Sequence, residues 1–222
     1  MTPSAVLFDI DGTLVDSNFL HVEAWAHAFA RLHLTVPAWR IQRMIGADSD
    51  ELLDRLIGDQ PEDVQTRAKD LHSEYYEQST PRLNVFDGAR GLVAAIAAHG
   101  TRVVLATSAP QDELDRLLPV LDIDEHTHAV TSGEDVETAK PRPDIIEVAL
   151  ERAGVEASRA FMVGDAVWDI AAADRAGVRC IGVLSGGTGA GDLTEAGAVA
   201  VYDDVAALLE GLETSPLAEF WA

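Results

Sequence analysis

A run of strand-forming residues that ends in two aspartates constrains this chain more than any other feature. Ala5, Val6, Leu7 and Phe8 are apolar and lead into Asp9-Ile10-Asp11-Gly12-Thr13-Leu14-Val15-Asp16-Ser17. A short apolar run bounded by a turn signal reads as a buried strand. A carboxylate at the exit of such a strand is costly unless something uses it. If the strand continued, Asp9 and Asp11 would face the same way, and they repel each other unless a cation lies between them. These residues alone point to an oxygen-ligated divalent metal, Mg²⁺ above all. Asp-Gly is also a common turn pair, so an acidic turn after a strand is the competing reading of residues 9–12 taken alone.

The remaining composition narrows the field. At 222 residues with 47% hydrophobic content, the chain can form one large domain, or a large domain with a smaller insert. No stretch reaches the roughly 18 consecutive apolar residues of a membrane span, so no membrane partner is expected. Met1-Thr2-Pro3 leads into the first strand without the basic flank of a secretory signal. Cys180 is the only cysteine, which excludes an internal disulfide and reads as a buried strand residue. A cytoplasmic location is the expectation. The net charge of −22, with only 16 basic residues scattered along the chain, argues against nucleic acid, which demands basic patches. Only two of those residues are lysines, Lys69 and Lys140. Lysine and arginine are not interchangeable at a phosphate, so each lysine is informative.

Residues 17 to about 80 carry helical patterns and no strand signal. Asn18 to Leu32 has Phe19, Val22, Trp25, Ala26 and Phe29 at three-and-four spacing. Pro37 opens a second helix, Asp48-Ser49-Asp50 cap a third, and Pro61 opens a fourth. From Asn84 the pattern alternates. Strands are expected at Arg102–Ala106, at about His128–Thr131, at Ala160–Val163, Val178–Leu184 and Ala198–Tyr202, with helices between them. Alternation of this kind implies an α/β fold with a doubly wound parallel sheet, which binds ligands beyond the carboxyl ends of its strands. Residues 1–16 and 82–222 are therefore assigned to the α/β core and 17–81 to an all-helical insert. Ser185-Gly186-Gly187-Thr188-Gly189-Ala190-Gly191 lacks the Gly-Lys-Ser/Thr ending of a P-loop. It reads as a mobile loop with no long helix directly after it.

Polar groups follow the expected strands in order. Thr107 and Ser108 come after Val103–Ala106, where hydroxyls and backbone N–H groups bind phosphate oxygens. Lys140 sits in Ala139-Lys140-Pro141-Arg142-Pro143-Asp144, where prolines stiffen the loop and a positioned ammonium offsets phosphoryl charge. Asp165 and Asp169 open a helix after Phe161-Met162-Val163; four apart, both reach one side, although the helix dipole alone also favours acids there.

Taken together, Asp9-x-Asp11-Gly-Thr-Leu-Val-Asp-Ser, Thr107-Ser108, Lys140-Pro-x-Pro-Asp and Gly164-Asp165-x-x-x-Asp169 resemble the four motifs of the haloacid dehalogenase-like superfamily, in its order. The match is to the branch of phosphoglycolate phosphatases and β-phosphoglucomutases. The resemblance implies a Rossmann-like core with a C1-type helical cap. It also implies that Asp9 is the nucleophile, Asp11 the acid/base, and Lys140, Thr107 and Ser108 the phosphoryl clamp, with Gly12 and Thr13 shaping the loop around it. Mg²⁺ is expected on Asp9, the backbone carbonyl of Asp11, and Asp165, with Asp169 in support. In the cap, His21, Arg43 and Gly46 match substrate-side positions of the branch. The second aspartate, Asp11, argues for phosphate over halide chemistry. After Gly46 the chain reads Ala47-Asp48-Ser49-Asp50, without the basic residues a mutase uses to hold a second phosphate. The expectation is a Mg²⁺-dependent phosphatase acting on a small phosphorylated metabolite, as a monomer or homodimer. A phosphosugar mutase and a non-catalytic phosphoryl-binding protein are the alternatives.

Overall fold

The computed structural model describes residues 2–136, 138 and 140–221. In chain order the elements are β1 (Ala5–Phe8), α1 (Asn18–Arg31), α2 (Ala38–Gln42), α3 (Ser49–Ile57), α4 (Glu62–Ser79), α5 (Ala89–Ala98), β2 (Arg102–Ala106) and α6 (Gln111–Leu121). They continue with β3 (Thr127–Thr131), α7 (Asp144–Ala153), β4 (Ala160–Gly164), α8 (Val167–Arg175), β5 (Arg179–Val183), α9 (Ala190–Ala196), β6 (Ala200–Tyr202) and α10 (Val205–Glu210). The six strands form one parallel sheet in the order β3-β2-β1-β4-β5-β6.

Strand β1 is buried along its whole length because both sheet faces are covered. Val6 and Phe8 point into one apolar cluster with Leu105, Phe161, Leu92 and Phe220. Ala5 and Leu7 point into a second, with Val104, Met162, Ile146 and Ala172. That is the period-two alternation of a strand, and each large side chain fully buried there contributes about 1.5–3 kcal/mol. Phe8 stands level with Leu105 of β2 and Val163 of β4. The next positions at the carboxyl ends of the three strands, Asp9, Ala106–Thr107 and Gly164–Asp165, therefore emerge side by side. The sheet order reverses at β1, so that point is the switch where doubly wound sheets bind ligands.

Helices α1 to α4 share a separate core of Val22, Trp25, Phe29, Ile41, Leu52 and Leu53. Extended prolines precede α2, α4 and α6, and Asp48 caps α3 by accepting from Asp50 N at 2.8 Å. This helical layer lies over the strand ends: Trp168 of α8 packs against its core, and Asp48 N donates to Lys140 O at 3.1 Å.

One region differs from the sequence expectation. Residues 185–191 are tied down. Ser185 Oγ donates to Gly12 O at 2.6 Å, and Asn18 Nδ2 donates to Gly186 O at 3.3 Å. The helix α9 then begins at Ala190, inside the glycine-rich stretch. Composition favours a flexible loop there, but contacts to residues more than 160 positions away override it. At the C-terminus the tail packs on its own chain. Phe220 is buried against Phe161 with ring centroids 5.3 Å apart, and Trp221 stacks on His99 at 4.2 Å. No helix among the described residues is long and apolar enough to cross a membrane.

Candidate active site

Asp9 leaves β1 almost completely buried, with its backbone N–H donating to Val163 O at 3.0 Å. Lys140, 1% exposed, reaches it from a loop 131 residues away: Nζ lies 2.5 Å from Asp9 Oδ1. The same ammonium forms an ion pair with Asp169 Oδ1 at 2.7 Å. Asp165 and Asp169 complete the group. One oxygen from each of Asp9, Asp165 and Asp169 falls within 4.8 Å of the others.

Each acid is aimed by its own supports. Thr13 Oγ1 donates to Asp165 Oδ1 at 3.0 Å, and Asn18 Nδ2 donates to Asp165 Oδ2 at 2.8 Å. Ala166 N donates to Asp169 Oδ2 at 3.0 Å. Gly12 has φ +76°, and a β-carbon there would lie 2.6 Å from Asn18 Cγ and 2.7 Å from Asp165 Oδ2. Only glycine fits both that conformation and that space.

Three buried carboxylates around one ammonium are electrostatically unbalanced. Burial lifts Asp9 to about 7, with Lys140 opposing and the Asp169 and Asp11 charges adding to the rise. Burial, then the charges of Asp169 and Asp9, lift Asp165 well above the carboxylate range. Burial alone would lower Lys140, but Asp169 and Asp9 outweigh it and hold it charged. An all-oxygen donor set with surplus negative charge fits a hard divalent cation such as Mg²⁺.

Asp11 turns its carboxylate away from this group. Ser17 Oγ donates to Asp11 Oδ1 at 2.6 Å, and His21 Nε2 lies 3.5 Å from the same oxygen. Burial raises Asp11, but the His21 and Ser17 hydrogen bonds and the His21 charge prevail and leave it below its ordinary value. Behind it, His21 Nδ1 is hydrogen-bonded to His72 Nε2 at 3.1 Å and its ring stacks on Tyr76 at 3.9 Å. Burial, reinforced by the charge of His21, keeps His72 well below the usual histidine range.

Between the strand ends and helices α1, α3 and α4 is a chamber of about 440 Å³. Asp9, Asp11, Lys140, Thr107 and Ser108 line it. Thr107 Oγ1 accepts from Ala109 N at 3.0 Å. Ser108 Oγ is buried without a hydrogen-bond partner among the described residues, an unmet polar group where a ligand oxygen would satisfy it.

The sequence-derived residues separate here. His21 and Gly46 line the chamber. Arg43 does not: its guanidinium lies 5.5 Å from the Trp39 ring centroid, and it borders a second crevice with Trp168 and Gly187. Arg43 follows the last residue of the short helix α2, where half a turn of rotation separates the two sides, and residue spacing alone does not resolve that. Thr13, expected beside the phosphate, spends its hydroxyl on Asp165. Sequence reasoning missed Asn18, His72, Tyr76, Gly186 and Glu113. Asn18 reads as a helix cap, and none of the five carries a local motif.

Comparison with known proteins places the chain in a family. Residues 6–183 match the haloacid dehalogenase-like hydrolase family. A phosphoglycolate phosphatase of Rhodospirillum rubrum is 32% identical over 216 residues, 93% of this chain and 89% of that protein. The crystal structure of a hydrolase from Pseudomonas syringae superposes with a TM-score of 0.90 at 31% identity, covering 95% of this chain and 98% of that one. A putative β-phosphoglucomutase from Bacteroides vulgatus has the same fold, with a TM-score of 0.86 at 23% identity over 99% of this chain and 90% of that one.

Proposed function

The chain belongs to the haloacid dehalogenase-like hydrolase family and is a phosphatase, and we propose that it hydrolyses a small phosphomonoester, of the sugar phosphate or phosphoglycolate class, through an aspartyl-phosphate on Asp9. The observation that carries this reading is the contact of Asp9 with Lys140 at 2.5 Å beside Asp165 and Asp169, at the sheet's switch point.

Asp9 attacks phosphorus, and the bond from phosphorus to the leaving alcohol breaks. Asp11, oriented by Ser17 and His21, takes up a proton from the adjacent His21 imidazolium and passes it to the departing oxygen. It then takes a proton from the water that attacks the aspartyl-phosphate and returns it to His21, and inorganic phosphate leaves. Lys140 and Ser108, with the N–H groups after β2, balance the charge on the transferring oxygens. Asp9, Asp165, Asp169 and the backbone carbonyl of Asp11 would hold Mg²⁺, which when bound screens the repulsion between carboxylate and phosphate dianion. Residues 17–81 act as the cap that encloses the leaving group and contribute His21 and Gly46 to its surroundings.

The test is hydrolysis of p-nitrophenyl phosphate with and without Mg²⁺. Turnover should require the metal and vanish with EDTA, and Asp9→Asn should lose at least about 10⁴-fold in kcat while remaining folded. Undiminished rates in EDTA would remove the metal assignment. A folded, active Asp9→Asn enzyme would remove the nucleophile.

A further inference from the structure

The chamber wall is mostly acidic beyond the phosphoryl clamp. Lys140, Thr107 and Ser108 line the chamber with Asp9. Besides Asp9, Asp11 and Lys140, the charged or chargeable lining residues among those described are His21, Asp48, Lys69, His72, Glu113 and Glu134, and of the carboxylates Glu113 is the one that interacts with Asp11 and His21, on the acid/base side. Lys69 is already engaged, with Nζ 2.5 Å from Asp50 Oδ1. His21 is committed to Asp11, and His72 is kept neutral. Arg116, one turn beyond Glu113 on α6, is held outside the chamber by Asp112 and Glu77, each at 3.2 Å.

Glu113 is the unusual member of this set. It sits in the first turn of α6 and is only 6% exposed. Its carboxylate lines the chamber and has no hydrogen-bond or ion-pair partner among the described residues. Burial raises it to about 7, the His21 charge opposes that rise, and the Asp11 charge adds to it. A buried carboxylate without a donor is costly, and a bound molecule that presents a donor there removes the cost. A bound anion increases it.

On the reading of the chain as a phosphatase, and narrowing its two substrate classes to the sugar phosphate side, we infer that Glu113 selects phosphomonoesters whose leaving alcohol carries a hydroxyl or ammonium donor near the ester oxygen, and disfavours leaving alcohols that end in a carboxylate, such as phosphoglycolate, or in a second phosphate. The donor satisfies the Glu113 carboxylate. A glycolate carboxylate or a second phosphate would face Glu113 and Asp11 in a water-poor space, where like charges discriminate strongly between partners. The chamber volume of about 440 Å³ is that of an ordinary small-molecule site and does not by itself discriminate; the charge of its wall does.

Three esters of matched length test this: 2-phosphoglycolate, 2-hydroxyethyl phosphate and O-phosphoethanolamine, with p-nitrophenyl phosphate as the reference. With the wild-type protein and Mg²⁺, kcat/KM for the hydroxyl or ammonium ester should exceed that for phosphoglycolate by at least about tenfold. The better of the two identifies the donor. Glu113→Gln keeps the shape and removes the charge, and it should reduce that preference severalfold through KM while p-nitrophenyl phosphate turnover changes less. Equal or better use of phosphoglycolate by the wild type, with p-nitrophenyl phosphate still hydrolysed, overturns the inference and leaves the phosphatase reading intact. An unchanged ratio in folded Glu113→Gln overturns the role of Glu113. No hydrolysis of any ester overturns both readings.

Discussion

Replacing Gly186 with alanine drives a methyl group into the carboxylate of Asp165. The backbone at Gly186 is not in the left-handed region, so alanine is conformationally acceptable and the effect is one of space. Its β-carbon would fall inside the contact envelope of Asp165 Oδ2 and lie 2.5 Å from Asn18 Nδ2. Non-bonded carbon contacts are comfortable near 3.5 Å, so about 1 Å must open at Asn18 and more at Asp165. Two responses are available. Asp165 swings out and loses its bonds from Thr13 and Asn18, each worth about 1.5–3 kcal/mol for a charged acceptor. Alternatively, the loop retreats and gives up the Ser185–Gly12 and Asn18–Gly186 bonds, at about 0.5–1.5 kcal/mol each. The second is cheaper, so the variant folds with a loss of about 1–3 kcal/mol. Asn18 loses its anchor, and disturbing such an outer support costs about 10–100-fold in metal affinity. The assay is the Mg²⁺ concentration for half-maximal turnover, with urea unfolding measured in parallel without metal. Gly191→Ala is the control from the same stretch: nothing lies within 4 Å of its β-carbon, and alanine there stabilises α9 by up to about 1 kcal/mol. A Gly186→Ala protein with the parent's Mg²⁺ requirement and unfolding midpoint would refute the reasoning.

Lys140→Met leaves Asp9 and Asp169 buried without their shared cation. Urea unfolding should show a loss of about 3–5 kcal/mol that added Mg²⁺ partly restores by binding only the folded state; unaltered stability would contradict the charge balance described here. The tail should loosen in acid. Hydrogen bonding to Arg179 holds Glu219 below its ordinary value of 4.5. Because the folded pKa is the lower one, this contribution is complete above 4.5 and fades as pH falls through the folded value. The pair is over 40% exposed, which limits it to about 1 kcal/mol or less. Arg179→Gln should flatten the pH dependence of stability in that window, and an unchanged slope would exclude the pair as its source.

What could be read from the chain alone was local. Val6 to Phe8, the proline and aspartate caps, and the alternation after Asn84 announce their elements because periodicity and capping act over a few residues. The four acidic, hydroxyl and lysine motifs are legible for the same reason, as is their position after strands. Tertiary structure decided everything that depends on which strands lie side by side. The order β3-β2-β1-β4 brings Asp9 together with Asp165 and with Lys140, 131 positions away. It lays Gly186 against Asp165, turning a stretch that reads as loose into a wall of the site. It also faces Glu113 into the chamber and Arg43 out of it. Side chains on short helices change neighbours with a rotation of half a turn, and no local signal sets that rotation; the packing of the helical layer over the sheet does.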